Sequence, residues 1–427
     1  MKKKRQIALW VFAPAVFLLA VSSCSRAPRR GEIAVTVEPT VRVALLTGVT
    51  EARVAAGRAL TLRDGSGEGQ TWPGGGAVKV SLSGTAISVT GPDGAARHAS
   101  GDWVELSSSA GVISLKGKEY RGAFRVVKES GGTLTVINLV KIESYLRSVV
   151  RSEIGALSEE RMEAMKAQAV ASRSYTLYRM AESEDLSYDV VSGVGDQVYL
   201  GVAGERPVTD RAVAETYGIV LTHRGEPIRA NFSSTCGGVT VDNDEAWPGE
   251  EPLPYLRSVR DVEGRRGTEF CEGSKYFRWR EEWGLEEMAS ILALHYSEGV
   301  PEDGSGNEKF SGRIKSIKVT KRDSAGRARV VEVKTDEGKF EVRADKMRWA
   351  LRRPDGGPLR STFFDLKLMK RRGEARGLVA EGKGWGHGVG MCQWGAIGMA
   401  DRGYGYEDIL KHYYKDVELE RLYGHPA

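Results

Sequence analysis

Residues 158–182 read SEERMEAMKAQAVASRSYTLYRMAE. Ser158 suits an N-cap, acids fill the first turn, and Met162, Met165, Ala169, Leu177 and Met180 recur at helical spacing, so a helix is predicted here. Ala164, Ala167 and Ala171 lie between them. Such small side chains let neighbours approach closely, and the helix is expected to be buried on more than one side. Upstream, from about residue 33 to 140, short runs such as VRVALLTG, AVKVSLSG, AISVTG and GVISLKG alternate apolar and polar residues between glycine-rich turns. They read as antiparallel strands and hairpins. Downstream, residues 281–296 are predicted to be a second helix. Residues 314–351 read as strand, turn, strand, turn, strand, with turns at Ser324–Gly326 and Asp336–Gly338, and YEDILKHYYKDV is a final helix. The expected class is α+β, with β-rich modules around a central buried helix.

The 427-residue chain is 41% hydrophobic and 28% charged, the composition of a globular protein rather than a disordered or membrane-embedded one. Its net charge of +5 invites a nucleic-acid reading until the charges are located. Lys2, Lys3, Lys4 and Arg5, in a leader without acids, account for all but one of them. The nearly neutral remainder carries no footprint for DNA or RNA. Those bases precede an apolar run from Ile7 to Val21, too short for a membrane span and interrupted by Pro14. Its end, Val21-Ser22-Ser23-Cys24, is similar to a bacterial lipobox, which predicts cleavage after residue 23, lipidation of Cys24 and an extracytoplasmic protein tethered to a membrane. The expected layout is a leader over 1–23, a spacer over 24–32, an N-terminal β module over 33–110 and a main domain over 111–420 with a β-rich subdomain at about 280–370.

Two places invite chemistry. Glu153 stands among Val149, Val150 and Ile154, where a strand or turn is expected to give way to the approach to the central helix. A carboxyl in apolar surroundings has its charged form desolvated, which makes it a proton donor near neutral pH. The second place is GKGWGHGVGMCQWGAIGMA, residues 382–400, where glycine alternates with His387, Trp385, Trp394 and Cys392. Each glycine costs order on folding, so such a run is expected at a site where the backbone approaches something closely.

Taken in order, LRSVVRSEI, MEAMKAQAVASRSYTLY, DQVYLGV, NFSSTCGGVT with PYLRSV, GHGVGMCQWGAIGMA and ILKHYY resemble the SpoIID/LytB family, the stage II sporulation protein D and amidase-enhancer proteins. The resemblance runs from the early β region to nearly the last helix. It implies a SpoIID-like catalytic domain and an extracytoplasmic bacterial protein acting on peptidoglycan. The activity implied is that of a lytic transglycosylase that cuts peptide-stripped glycan strands and needs no cofactor for catalysis. By the resemblance Glu153 is the catalytic glutamate, Arg173 orients the acid or the sugar, and Gln197 and Tyr199 contact the glycan. His387, Gln393 and Trp394 then line the groove beside the acid. Gly155 stands where many members have proline, and Cys392 where serine is commoner. The resemblance equally implies a rival of another class, a wall-binding protein that enhances a separate cell-wall amidase without cutting.

With Cys24 set aside, Cys236, Cys271 and Cys392 remain, an odd number for an exported protein. Together with His387 they have the ligand types of a closed Cys3His zinc site. The alternative is a Cys236–Cys271 disulfide with Cys392 as a buried small hydrophobe.

Overall fold

A computed structural model describes residues 37–193, 195–264, 267–299, 309–371 and 374–424. The leader, the spacer and the lipidation of Cys24 lie outside the described residues. The first half of the chain builds an 11-stranded sheet. Its main path runs Val190–Val191, Thr40–Val49, Leu134–Lys141, Lys118–Lys128, Trp103–Leu115, Glu51–Ala56, Gly76–Ser83, Ala86–Thr90 and Ala96–His98. The pairings are antiparallel except that of Thr40–Val49 with Val190–Val191. Alternation in sequence becomes alternation in burial: Val78 and Val80, Ile87 and Val89, and Val104 and Leu106 all point into the core. The boundary expected after residue 110 falls inside the strand Trp103–Leu115, whose hydrogen bonds to Lys118–Lys128 carry the sheet straight across it.

Helix α1 (Ile142–Ile154) follows the sheet directly. Ile142, Tyr145, Leu146, Val149 and Val150 form its buried stripe, with the spacing of a helix that has one face in a core. Gly155, at φ +88°, stops it, and its N–H bonds the carbonyl of Arg151. Glu153 therefore sits in the last turn of a helix rather than at the end of a strand or turn. Helix α2 (Met162–Glu182) begins one turn later than its sequence signal, after a 3-10 turn at Glu159–Arg161. It is packed by α1, by helix α3 (Pro207–Glu215), by the strand Ile219–His223 and by the helices Gln393–Ala400 and Tyr406–Tyr413. Ala164, Ala167 and Ala171 are fully buried, so burial on several sides is what the small residues permit.

A second hydrophobic core lies within residues 279–380. It gathers two three-stranded sheets and the helix Leu285–His295. The expected helix over 281–296 is shorter because Trp279–Gly284 is a strand paired with Glu374–Gly382. Gly284 then caps the helix, with the Glu287 carboxylate accepting its N–H. Among the described residues no helix is long and apolar enough to cross a membrane.

One buried ion pair joins α1 to α2. The Arg173 guanidinium donates Nε and Nη2 to the two oxygens of Glu143 at 2.8 and 2.7 Å, and Nη1 to the carbonyl of Ile219. Glu143 also accepts from the Tyr423 hydroxyl at 2.6 Å and from the Gly218 N–H. α2, the turn before the strand Ile219–His223 and the segment holding Tyr423 are thus tied to one carboxylate on α1. Removing either partner leaves a buried charge uncompensated, at a cost of about 3–5 kcal/mol. Thermal unfolding of Arg173→Ala is expected to show a clearly lowered midpoint; a midpoint equal to that of the parent protein would contradict the central role of the pair.

Candidate active site

Glu153 is half-buried at the end of α1, and its Oε1 accepts the backbone N–H of Val198 at 2.8 Å. The side-chain amide of Gln393 also hydrogen-bonds the carboxyl. Burial raises the Glu153 pKa above its ordinary value, and these two hydrogen bonds oppose it without cancelling it. The result is a carboxyl biased toward its protonated form, with two donors ready to receive the carboxylate.

What positions those donors explains the neighbouring motif. Gln197 is fully buried: its Oε1 accepts from the hydroxyls of Tyr145 and Thr176, and its Nε2 donates to the carbonyl of Ser172. Tyr199 is buried too, its hydroxyl donating to Asn138 Oδ1 at 2.9 Å and its ring against Tyr145 at 4.9 Å. Leu200 N–H bonds the Ser148 hydroxyl on α1. Gln197 and Tyr199 were expected to touch glycan; with their polar atoms bound inside the protein they instead clamp the backbone on both sides of Val198 and aim its N–H at Glu153. On the other side, Gln393 Nε2 donates to Gln168 Oε1 at 3.2 Å, and Gln168 donates to the Ser172 hydroxyl. Helix α2 is thereby linked through the glycine-rich run to the acid.

Other expected roles change with the geometry. Arg173 has no exposed surface and both of its forks are occupied, so it touches neither the acid nor a sugar; it acts on the site only by holding α1 against α2. His387 donates Nε2–H to the carbonyl of Phe232 and accepts the Val389 N–H at Nδ1. Burial pushes its pKa down to about 4, so the ring is neutral, and with both nitrogens engaged it offers no atom to a metal or a sugar. Its ring instead lies 5.1 Å from Trp247. Of the groove residues expected, the structure brings Gln393 to Glu153, and Trp394 is partly exposed next to it in the chain. The clefts of about 1020 and 780 Å³ formed by Trp247, Arg343 and Lys346 and by Arg278, Phe363 and Lys383 do not include Glu153. Chemistry, not concavity, marks the site.

The parts missed in the sequence are Val198, which acts through its backbone, Glu143, Gln168 and Asp261. Gln168 and Val198 had a signal, lying inside AQAVASR and DQVYLGV. Asp261 is one of 57 acids with nothing local to single it out.

Glu153 is thus a helix-borne, desolvated carboxyl held by a loop amide and a glutamine at the end of a buried helical pair. A family model described as Stage II sporulation protein matches residues 130–223, the segment holding α1, α2 and the Val198 loop. A domain of unknown function (DUF8618) matches residues 263–390. The chain is 30% identical to stage II sporulation protein D of Bacillus subtilis over 297 residues, covering 66% of this chain and 74% of that one. An uncharacterized protein of Brachyspira hyodysenteriae is 30% identical over 72% of this chain and 74% of its own. The amidase enhancer of Bacillus subtilis is 27% identical over 74% of this chain and 46% of its own length. The chain belongs to the stage II sporulation protein D family.

Above the usual glutamate value of 4.5, the folded protein retains a proton on Glu153 that the unfolded chain has released. Stability contributed by that proton is present at low pH and is lost as pH rises through the raised folded-state value. Glu153→Gln has no such loss, so its thermal midpoint relative to the parent protein is expected to climb as pH rises above 4.5. A difference that shrinks over the same range would mean that the carboxyl is not destabilised by burial.

Proposed function

We propose that the protein is a lytic transglycosylase that cleaves peptidoglycan glycan strands with Glu153 as its single acid and base. The observation that carries this reading is Glu153 itself, a carboxyl desolvated at the end of α1 and so biased toward its protonated form, with the Val198 N–H placed to receive its carboxylate. Hydrolysis of a glycoside by water ordinarily uses two carboxyls, one for the leaving oxygen and one for water or as nucleophile. A lytic transglycosylase avoids the second, because the nucleophile is the C6 hydroxyl of the same N-acetylmuramic acid.

In this mechanism the Glu153 proton goes to the glycosidic oxygen as its bond to the anomeric carbon breaks, and N-acetylglucosamine leaves with a free 4-hydroxyl. The C6 oxygen then bonds to the anomeric carbon and returns its proton to the Glu153 carboxylate. No water is consumed, and the new end is 1,6-anhydro-N-acetylmuramic acid. Between the two transfers the carboxylate is stabilised by the Val198 N–H and Gln393. Trp394 supplies a face for sugar stacking. The lipobox at Cys24 supports an extracytoplasmic, membrane-tethered location beside that substrate.

The relative named an amidase enhancer favours a second reading, binding of the wall to assist a partner amidase. Mass spectrometry of peptide-free glycan strands incubated with the chain from Ser25 onward separates the two. Anhydromuramic ends are expected from the parent protein, with Glu153→Gln slower by about 10²–10⁴, the usual contribution of a general acid. Intact strands that sediment with the parent protein would contradict cleavage and support the enhancer reading.

A further inference from the structure

Cys236, Cys271, Cys392 and Asp261 come from four separate places in the sequence, yet one ligand atom of each lies within 4.8 Å of all the others. All four residues are fully buried. We propose that these four side chains, and not His387, form a closed structural site for a zinc-class divalent cation.

The spacing fits the ion. Four ligands at zinc–sulfur distances of about 2.3 Å place tetrahedral sulfurs about 3.8 Å apart; the Cys236 and Cys271 sulfurs are unbonded at 3.7 Å. Asp261 Oδ2 lies 3.1 Å from the Cys236 sulfur. Three soft sulfurs and one carboxylate oxygen are a zinc-type set, and a site with no exposed ligand has no open position for catalysis.

The surroundings are arranged for thiolates. The Cys392 sulfur accepts the N–H of Cys236 at 3.1 Å and that of Gly395 at 3.3 Å, at the start of the helix Gln393–Ala400. Asp261 is oriented as a metal-bound carboxylate should be, its Oδ1 accepting the Tyr413 hydroxyl at 2.6 Å. Any side chain at Gly395 would meet both Asp261 oxygens and the Tyr413 hydroxyl, so glycine is required for this approach.

A second, independent observation points to negative charge here. Arg327 reaches out of the second core, almost fully buried, and donates Nη2 to the carbonyls of Cys236 and Val239. Its Nε and Nη1 have no hydrogen-bond partner among the described residues. A buried guanidinium needs negative charge nearby, and Arg327 is attracted by Cys236 and Cys392 as well as by Asp323 and Asp345. Three thiolates and a carboxylate around a divalent cation carry a net charge of −2, of which Arg327 beside Cys236 offsets one. The glycine run makes room for it, since a side chain at Gly388 would strike the guanidinium. The site would pin the parallel bridge of Phe232–Ser233 to Met391–Cys392, and with it the base of the helix whose first residue is Gln393.

The test is elemental analysis of the full chain, extracted with detergent and purified under reducing, chelator-free conditions. About one zinc per chain is expected, unchanged in His387→Gln and strongly reduced in Asp261→Ala. Because Asp261→Ala can also weaken folding, the wild-type protein is stripped and refilled with cobalt; thiolate-to-cobalt charge-transfer bands with tetrahedral ligand-field absorption are expected. A metal-free wild-type chain, whether with three free thiols or with a Cys236–Cys271 disulfide, would overturn the proposal. So would zinc that is lost in His387→Gln and kept in Asp261→Ala. Metal stoichiometry reads this site alone and is independent of whether glycan is cleaved.

Discussion

The Arg173–Glu143 pair is the constraint on which the rest of the molecule depends. A charge buried at the centre of a helix bundle is tolerable only when its partner is fixed, and Glu143 is fixed by Tyr423, Gly218 and Arg173 together. This locks α1 to α2 and anchors both to the chain's last described segment. Glu143 and Glu153 lie on the same helix ten residues apart, so the geometry that buries the first also sets where the second emerges. One carboxylate stays paired and structural. The other, in the last turn, is desolvated without a cationic partner among the described residues.

Around Glu153 the protein opposes two effects of similar kind. Desolvation favours the neutral acid, while the Val198 N–H and Gln393 favour the carboxylate. An acid that also acts as a base, as proposed for Glu153, needs both, because a purely apolar pocket would hold its proton too firmly to give it away. The residues that tune this balance are mostly out of contact with the carboxyl. Gln197, Tyr199 and Gln168 act by placing donors, which makes them positioning residues rather than sugar-binding ones.

Much of this was legible in the sequence. The central helix, the hairpins and the three strands over 314–351 follow from period and turn chemistry. Glu153 could be chosen because apolar neighbours flank it. Helix α1 stands where a strand or turn was expected, although Ile142, Tyr145, Leu146, Val149 and Val150 follow helical spacing. The roles of Gln197, Tyr199 and His387 were not legible. Whether a polar side chain faces solvent or a buried partner depends on contacts from distant segments, such as Asn138 for Tyr199 and Phe232 for His387. Asp261 was hidden for the same reason: its neighbours Cys236, Cys392 and Tyr413 come from 25, 131 and 152 residues away.

The most direct measurement of the central claim is the ionisation of Glu153 itself, followed by carbon-13 NMR of the glutamate carboxyls, with the resonance assigned by its loss in Glu153→Gln. The account predicts a midpoint above the ordinary 4.5, because burial outweighs the two hydrogen bonds. A midpoint at or below that value would mean that the carboxyl is held ionised, and that it is not the proton donor of this site.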